Sequence, residues 1–131
     1  MNTYKTMVYA KIHRALVTAA DLNYIGSITI DSDLLRQAGM DEYERVQVVD
    51  ITNGARLETY TIAGAAGSGV IQLNGAAAHL VNVGDTVIIM AYMQVQMPVS
   101  AEWSPTVLIM DEERNAVRQV TRLADAVLDQ A

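Results

Sequence analysis

The sequence predicts a mainly β domain, a small closed six-stranded barrel with short helices. Three observations carry that expectation. Apolar and polar residues alternate with a period of two through most of the chain. Turn chemistry separates the alternating segments at Asn53-Gly54, in the run Gly64 to Gly69, and at Gly84-Asp85. The composition is 51% apolar but only 5% aromatic, without Phe, so Val, Ile, Leu, Met and Ala must fill the interior.

Along the chain, Met7 to Arg14 reads as a strand. Met7, Tyr9, Lys11 and His13 face one side of it, and Val8, Ala10, Ile12 and Arg14 the other. Ala15 to Thr18 extends it, and Thr18 with Asp21 is expected to cap a short helical turn. Tyr24 to Ile30 reads as a second strand. Ser32 to Ala38 is a short helix stopped by Gly39. Val46 to Ile51 and Arg56 to Ala63 flank Thr52-Asn53-Gly54 as a hairpin. Val70 to Leu73, Thr86 to Val95 and Thr106 to Met110 are further strands, the last preceded by an irregular stretch between Pro98 and Pro105. Val117, Val120, Ala124, Val127 and Leu128 fall at helical spacing, so the tail is expected to be a short amphipathic helix or a frayed end. The whole of 1–131 fits one domain, with 111–131 as a variable tail. Thr86 to Met93 is apolar on both faces, which predicts contacts between subunits.

Charge and composition exclude several classes. A net charge of −6 speaks against a nucleic-acid partner, which needs a basic face. The imbalance is uneven: residues 1–30 carry Lys5, Lys11 and Arg14 against Asp21 alone, whereas residues 31–50 hold six acids against Arg36 and Arg45. A positive island in an acidic protein suits a small anion. The absence of cysteine removes disulfides, thiolate nucleophiles and Cys-based zinc sites. His13 and His79 lack metal-ligand spacing, so no metal site is expected, and His79 is taken as structural. The longest strongly apolar stretch, Val87 to Met93, is too short to cross a membrane, and no signal-peptide pattern opens the chain. A cytoplasmic setting is expected.

Most catalytic patterns are missing. Ser68 is not in a nucleophile elbow, because Ala66 and Val70 stand where glycines are required. The Gly64 to Gly69 run lacks the Gly-Lys-Ser/Thr of a phosphate loop. Lys11 reads either as an edge-strand lysine guarding against aggregation or as an anion-binding or imine-forming amine. Gly26-Ser27 reads as a bulge or bend, yet the pair also permits a chemical event. If the backbone bends, the Ser27 hydroxyl oxygen reaches the Gly26 carbonyl carbon, and the acyl group shifts from nitrogen to oxygen. β-Elimination from the resulting ester breaks the chain and leaves a dehydroalanine that hydrolyses to a pyruvoyl group. Glycine contributes backbone freedom and no β-carbon to obstruct the attack.

Taken in order, the motifs resemble the pyruvoyl-dependent aspartate 1-decarboxylases of pantothenate synthesis. The likeness rests on Lys11-Ile12-His13-Arg14, on Ala20 to Ser27, on Thr52-Asn53-Gly54 with Arg56, on Thr59-Tyr60, on Asn74 to His79 and on Val83-Gly84-Asp85. It covers roughly residues 5–95 and leaves the segment after Met97 aside.

This resemblance implies a double-psi β-barrel, a homotetramer with sites between subunits, and self-cleavage between Gly26 and Ser27. Ser27 would become a covalent pyruvoyl cofactor, matured unaided or, as in some relatives, by a helper protein. The implied reaction is loss of the α-carboxylate of L-aspartate as carbon dioxide, giving β-alanine. Tyr60 matches the family's proton donor, and Lys11 and Arg56 match the groups that hold substrate carboxylates. Thr59 matches a residue that touches substrate and supports cleavage through the Gly26 carbonyl. Gly75, Ala76 and Ala77 match the pocket-lining turn, with His13, Tyr24 and Asn74 as pocket neighbours. Independently of the resemblance, alternation places Arg56, Glu58 and Tyr60 on one face. The competing readings are a non-catalytic binding barrel, which needs no such set of residues, and a serine hydrolase using Ser68, for which the sequence places no base.

Overall fold

The computed structural model describes residues 2–125. Strands β1 (Tyr4–Leu16), β2 (Ala19–Asp21), β3 (Ser27–Asp31), β4 (Arg45–Asp50), β5 (Arg56–Gly64), β6 (Ile71–Asn74), β7 (Thr86–Gln96), β8 (Thr106–Met110) and β9 (Val117–Arg122) are joined by helix α1 (Ser32–Ala38) and a 3-10 helix (Gly75–His79). All nine strands pair in one order, β2-β6-β3-β5-β4-β7-β1-β8-β9. The chain is mainly β. Its parallel pairs β2/β6, β3/β5 and β1/β8 are crossings that a simple meander lacks.

The period-2 pattern divides the sheet into two faces. Val46, Ala91 and Ala10 align across β4, β7 and β1, as do Val48, Ile89 and Ile12, and all six are buried. These rows are the aliphatic core. The alternate rows, Gln47-Met90-Lys11 and Val49-Ile88-His13, look outward from it. Helix α1 closes the core through Leu34, Leu35 and Ala38. The Asp31 side chain caps its first turn, and the left-handed Gly39 ends it. Asp31 also accepts from the backbone amides of Gly67 and Gly69 at 3.1 and 2.8 Å, which fastens the glycine-rich turn to the helix start.

Several sequence expectations need correction. Two of the nine strands among the described residues, the three-residue β2 and the tail strand β9, were not predicted as strands. Ala19–Asp21 is a strand beside β6 rather than a helical turn, because the Thr18 hydroxyl and backbone bridge to Ile71 and draw the chain alongside. The expected strand at Tyr24 begins only at Ser27; residues 22–26 form an exposed loop. Lys11 is not an edge residue, since β1 is paired by β7 on one side and β8 on the other. In the tail, Val117 and Val120 belong to β9, and the helical conformation starts only at Leu123. The expectation for Val127 and Leu128 lies outside the described residues. Asn115, with φ of 53°, ties this segment in: its side chain bonds both Leu16 backbone groups and the Gly69 carbonyl.

The hairpin around Asn53-Gly54 forms as expected, and its base contains two buried acids. Asp50 is 1% and Asp85 7% exposed. Asp50 Oδ1 accepts from the amides of Thr52 and Asn53 at 2.8 and 3.1 Å, while Oδ2 is buried without a donor. Burial, then the adjoining Asp85 carboxyl, push Asp50 above the ordinary carboxylate range, against the opposing pull of the two amides. The folded chain therefore binds a proton that the unfolded chain releases, and this contribution to stability is lost as pH rises through the elevated pKa. Asp50→Asn keeps the Oδ1 acceptor and offers Asp85 an N–H. We expect it to melt about 3 °C higher than the parent at pH 7.5, equivalent to roughly 1 kcal/mol, with the gain shrinking as pH falls towards 4. A lower melting temperature for the variant at both ends of that range would refute the reading.

Candidate active site

The Gly26–Ser27 bond lies where an exposed loop enters the barrel: Gly26 is exposed and Ser27 is 1% exposed. Across β3 and β6, Ser27 stands opposite Asn74. The Asn74 amide, wholly buried, donates to Ser27 Oγ at 2.9 Å and to Thr29 Oγ1 at 3.0 Å. Its Oδ1 accepts from Gln72 Nε2 at 2.7 Å. The Ser27 hydroxyl in turn donates to the Ile25 carbonyl at 3.0 Å. The one nucleophilic oxygen that the sequence singles out is thus held on both sides.

The following residue closes over the bond. Gly75 has φ of +63°, and a β-carbon there would stand 2.8 Å from Gly26 Cα and 2.9 Å from Gly26 N. Only glycine allows the turn to approach the backbone so closely. At Gly26 itself, a β-carbon would meet nothing within 4 Å. The glycine that sterics require is Gly75, not Gly26.

Strand β5 brings the next group. Ile28 pairs with Thr61 in the parallel β3/β5 register, so one step back sets Ser27 level with Tyr60. Tyr60 shares the outward parity of Ser27. Arg56, Glu58 and Tyr60 pair with Val49, Gln47 and Arg45, so all three look outward, as alternation predicted. Thr59 pairs with the buried Val46 and looks inward; among the described residues it makes no hydrogen bond to Gly26.

The cations on this outward face divide into two kinds. Arg45 is paired with Glu58, and Arg14 with Glu112 at 2.6 Å. Lys11 and Arg56 have no carboxylate partner among the described residues, which leaves them available to an anionic ligand. Lys11 and His13 share a face of β1, and burial, then Lys11 and Arg14, lower the His13 pKa below 6.5, with Glu112 opposing. His13 is therefore neutral at pH 7, and the local positive charge rests on the lysine and arginines.

The structure brings Gly26, Ser27, Asn74, Gly75 and the Tyr24 carbonyl together, with Tyr60 on the neighbouring strand. Ala76 and Ala77 continue the same turn in the 3-10 helix, with Ala76 exposed and Ala77 half-buried. In the sheet order, β1, which carries Lys11 and His13, stands four strands from β3 and Ser27. Tyr24 itself is half exposed in the loop. A groove of about 600 Å³ lies elsewhere, between Thr6, Arg45, Gln47, Glu58 and Tyr92, and contains none of the predicted site residues. Sequence reasoning did not single out Thr29 or Gln72, although alternation already places Gln72 and Asn74 on one face of a short strand. No group of acids and histidines able to hold a metal occurs among the described residues.

Comparison with known proteins places this geometry in context. The aspartate decarboxylase family model matches residues 3–117. The aspartate 1-decarboxylase of Carboxydothermus hydrogenoformans is 55% identical over 115 residues, covering 88% of this chain and 91% of its own. That of Ruminiclostridium cellulolyticum is 56% identical over 114 residues, covering 87% and 89%. Among solved structures, the computationally designed msDPBB_sym2 protein is 19% identical with a TM-score of 0.48, covering 66% of this chain and 99% of its own. A family match over most of the sequence, with relatives more than half identical along it, establishes that the chain belongs to the aspartate decarboxylase family.

Proposed function

We propose that this chain is an L-aspartate α-decarboxylase that makes its own electrophile by cutting itself between Gly26 and Ser27. The observation that carries the reading is the Ser27 hydroxyl, buried at the mouth of an exposed loop and held by Asn74 beneath a turn that packs on Gly26.

In the maturation step, Ser27 Oγ adds to the Gly26 carbonyl carbon. The hydroxyl proton passes to the Ser27 nitrogen as the C–N bond breaks, which leaves an ester and a free amine. Removal of the Ser27 α-proton with rupture of the Oγ–Cβ bond releases residues 1–26 as a carboxylate and leaves dehydroalanine. Its imine tautomer takes up water, loses ammonia and becomes the pyruvoyl group. The Gly26–Ser27 junction suits this product, because the close approach of Gly75 and the Asn74 amide leave a small, polar, water-poor seat.

Once formed, that group supplies a ketone able to capture an amine and to accept the electron pair left by a departing carboxylate. The chain's own side chains supply the rest. Arg56 offers a planar fork for one carboxylate of the substrate, and Lys11 a compact cation for the other. Tyr60, level with Ser27, delivers a proton to the former α-carbon so that β-alanine can leave. The backbone of Gly75, Ala76 and Ala77 lines the seat, with His13 and Tyr24 at its margin, while Thr59 supports it from the inward side of β5. Two cations for two carboxylates favour a dicarboxylic amino acid.

The distance between β1 and β3 in the sheet order supports a homotetramer in which one copy brings its Lys11 to another's Ser27. The half-exposed Ile88 and Met90 on the outward face fit such contacts. No helix among the described residues is long and apolar enough to cross a membrane. The cysteine-free, acidic composition supports a cytoplasmic enzyme without nucleic-acid partners.

Intact-mass measurement in denaturing solvent tests the proposal alongside release of labelled carbon dioxide from L-aspartate carrying 13C at C1. The expected result is two fragments, 1–26 and 27–131, the larger blocked to N-terminal sequencing, together with labelled carbon dioxide and β-alanine. A full-length mass in a protein that decarboxylates would remove the self-cleavage reading. Fragments without any carbon dioxide would remove the decarboxylase. Purification away from other proteins before cleavage shows whether a maturation helper is needed.

A further inference from the structure

Gln72 lies two residues before Asn74 on β6, so both side chains leave the same face of that strand. Its Nε2 donates to Asn74 Oδ1 at 2.7 Å, and no other donor reaches that oxygen among the described residues. Asn74 Nδ2 then donates to Ser27 Oγ and Thr29 Oγ1. The Ser27 hydroxyl donates in turn to the Ile25 carbonyl.

This relay has one allowed sense. A backbone carbonyl can only accept, so Ser27 must give its proton to Ile25 and receive at Oγ. Asn74 must therefore turn its nitrogen towards Ser27 and its oxygen towards Gln72. The residue at 72 must then be a donor.

We propose that Gln72 is a positioning residue for the maturation of Ser27. By donating to Asn74 it fixes which end of that amide faces Oγ, and so fixes the direction in which the hydroxyl proton points before attack on Gly26. Gln72 touches neither the scissile bond nor the nucleophile; its effect passes through Asn74. The inference rests on the self-cleavage reading above.

Two substitutions test it. Gln72→Glu keeps the shape of the side chain but, when ionised, presents only acceptors. Asn74 then turns over to donate to the introduced carboxylate, and its oxygen faces Ser27, drawing the hydroxyl proton away from Ile25. Protonating that carboxylate restores an O–H donor. Gln72→Leu removes the donor at every pH. Full-length chain made in a short cell-free pulse is shifted to buffers between pH 4 and 7.5, and fragment appearance is followed by intact mass. Far-UV circular dichroism checks the fold of each variant.

At pH 7.5, cleavage of Gln72→Glu is expected to be about ten-fold slower than that of the parent, the effect of one lost hydrogen bond. The ratio to the parent should recover as pH falls towards the carboxyl range near about 4.3, whereas Gln72→Leu should stay slow throughout. The recovery would not follow from a merely structural role and stands without the leucine variant, should that one misfold. Wild-type rates in both variants, or an equal deficit of Gln72→Glu at every pH, would overturn the proposal. A parent chain that never cleaves would overturn it together with the self-cleavage reading, a failure seen in the parent rather than only in the variants.

Discussion

Ser27→Ala is expected to remain one uncut chain and to release no carbon dioxide from L-aspartate above the buffer level. The substitution deletes a single oxygen, but that oxygen is the nucleophile of the cleavage and its carbon skeleton is the source of the ketone. Asn74 loses one of its two acceptors and keeps Thr29 Oγ1, so the buried network remains partly satisfied. The stability cost should be about 1 kcal/mol, the worth of one hydrogen bond, and the variant should fold. Folding and activity are thereby separated: a normal melting curve, an undivided mass and no product are expected from one sample. An uncut Ser27→Ala protein that still makes β-alanine would show that the electrophile comes from elsewhere. The binding-barrel reading makes the opposite prediction for the parent, which it expects to stay whole and inert.

What was legible in the sequence was what neighbouring residues decide among themselves. Arg56, Glu58 and Tyr60 share a face because a strand repeats every two residues, and the cross-strand register confirms it. The pairing of Lys11 with His13 on β1 followed from the same rule. Helix α1 and its stop at Gly39 were readable from a polar cap and a glycine, both local signals. Elements fixed by distant partners were not legible. A three-residue strand such as β2 has no pattern of its own and exists because β6 lies beside it. Val117, Val120 and Ala124 mimic helical spacing, but β8 offers an open edge and draws Val117 to Arg122 into the sheet.

The candidate site divides along the same line. The ordered motifs located Ser27, but not what holds it. Ser27 and Asn74 are 47 residues apart in sequence and meet only through the β3/β6 pairing. The lysine at position 11 was open to an edge-guarding explanation until the topology showed β1 paired on both sides. A half-buried lysine within an interior strand has no open sheet edge to guard, which removes the aggregation-control explanation.

Gly75→Ala should be the most damaging change that leaves all reactive atoms in place. The added β-carbon would lie 2.8 Å from Gly26 Cα, 2.9 Å from Gly26 N and 3.1 Å from the Tyr24 carbonyl oxygen, all of them backbone atoms that cannot rotate aside. The φ of +63° adds strain for any residue with a side chain. Together, the left-handed conformation and the overpacking should cost about 2–4 kcal/mol. The loop before Ser27 must then move, and the Gly26 carbonyl moves with it. Attack by Oγ depends on near-contact alignment, so cleavage should slow by about a hundred-fold or more. Gly26→Ala is the control, since a β-carbon there meets nothing within 4 Å and its backbone lies outside the left-handed region. It should melt close to the parent. Calorimetry and the time course of fragment formation measure both effects. A Gly75→Ala chain that melts and cleaves like the parent would mean that the turn can give way without disturbing the bond, and that its close approach does not organise the reaction.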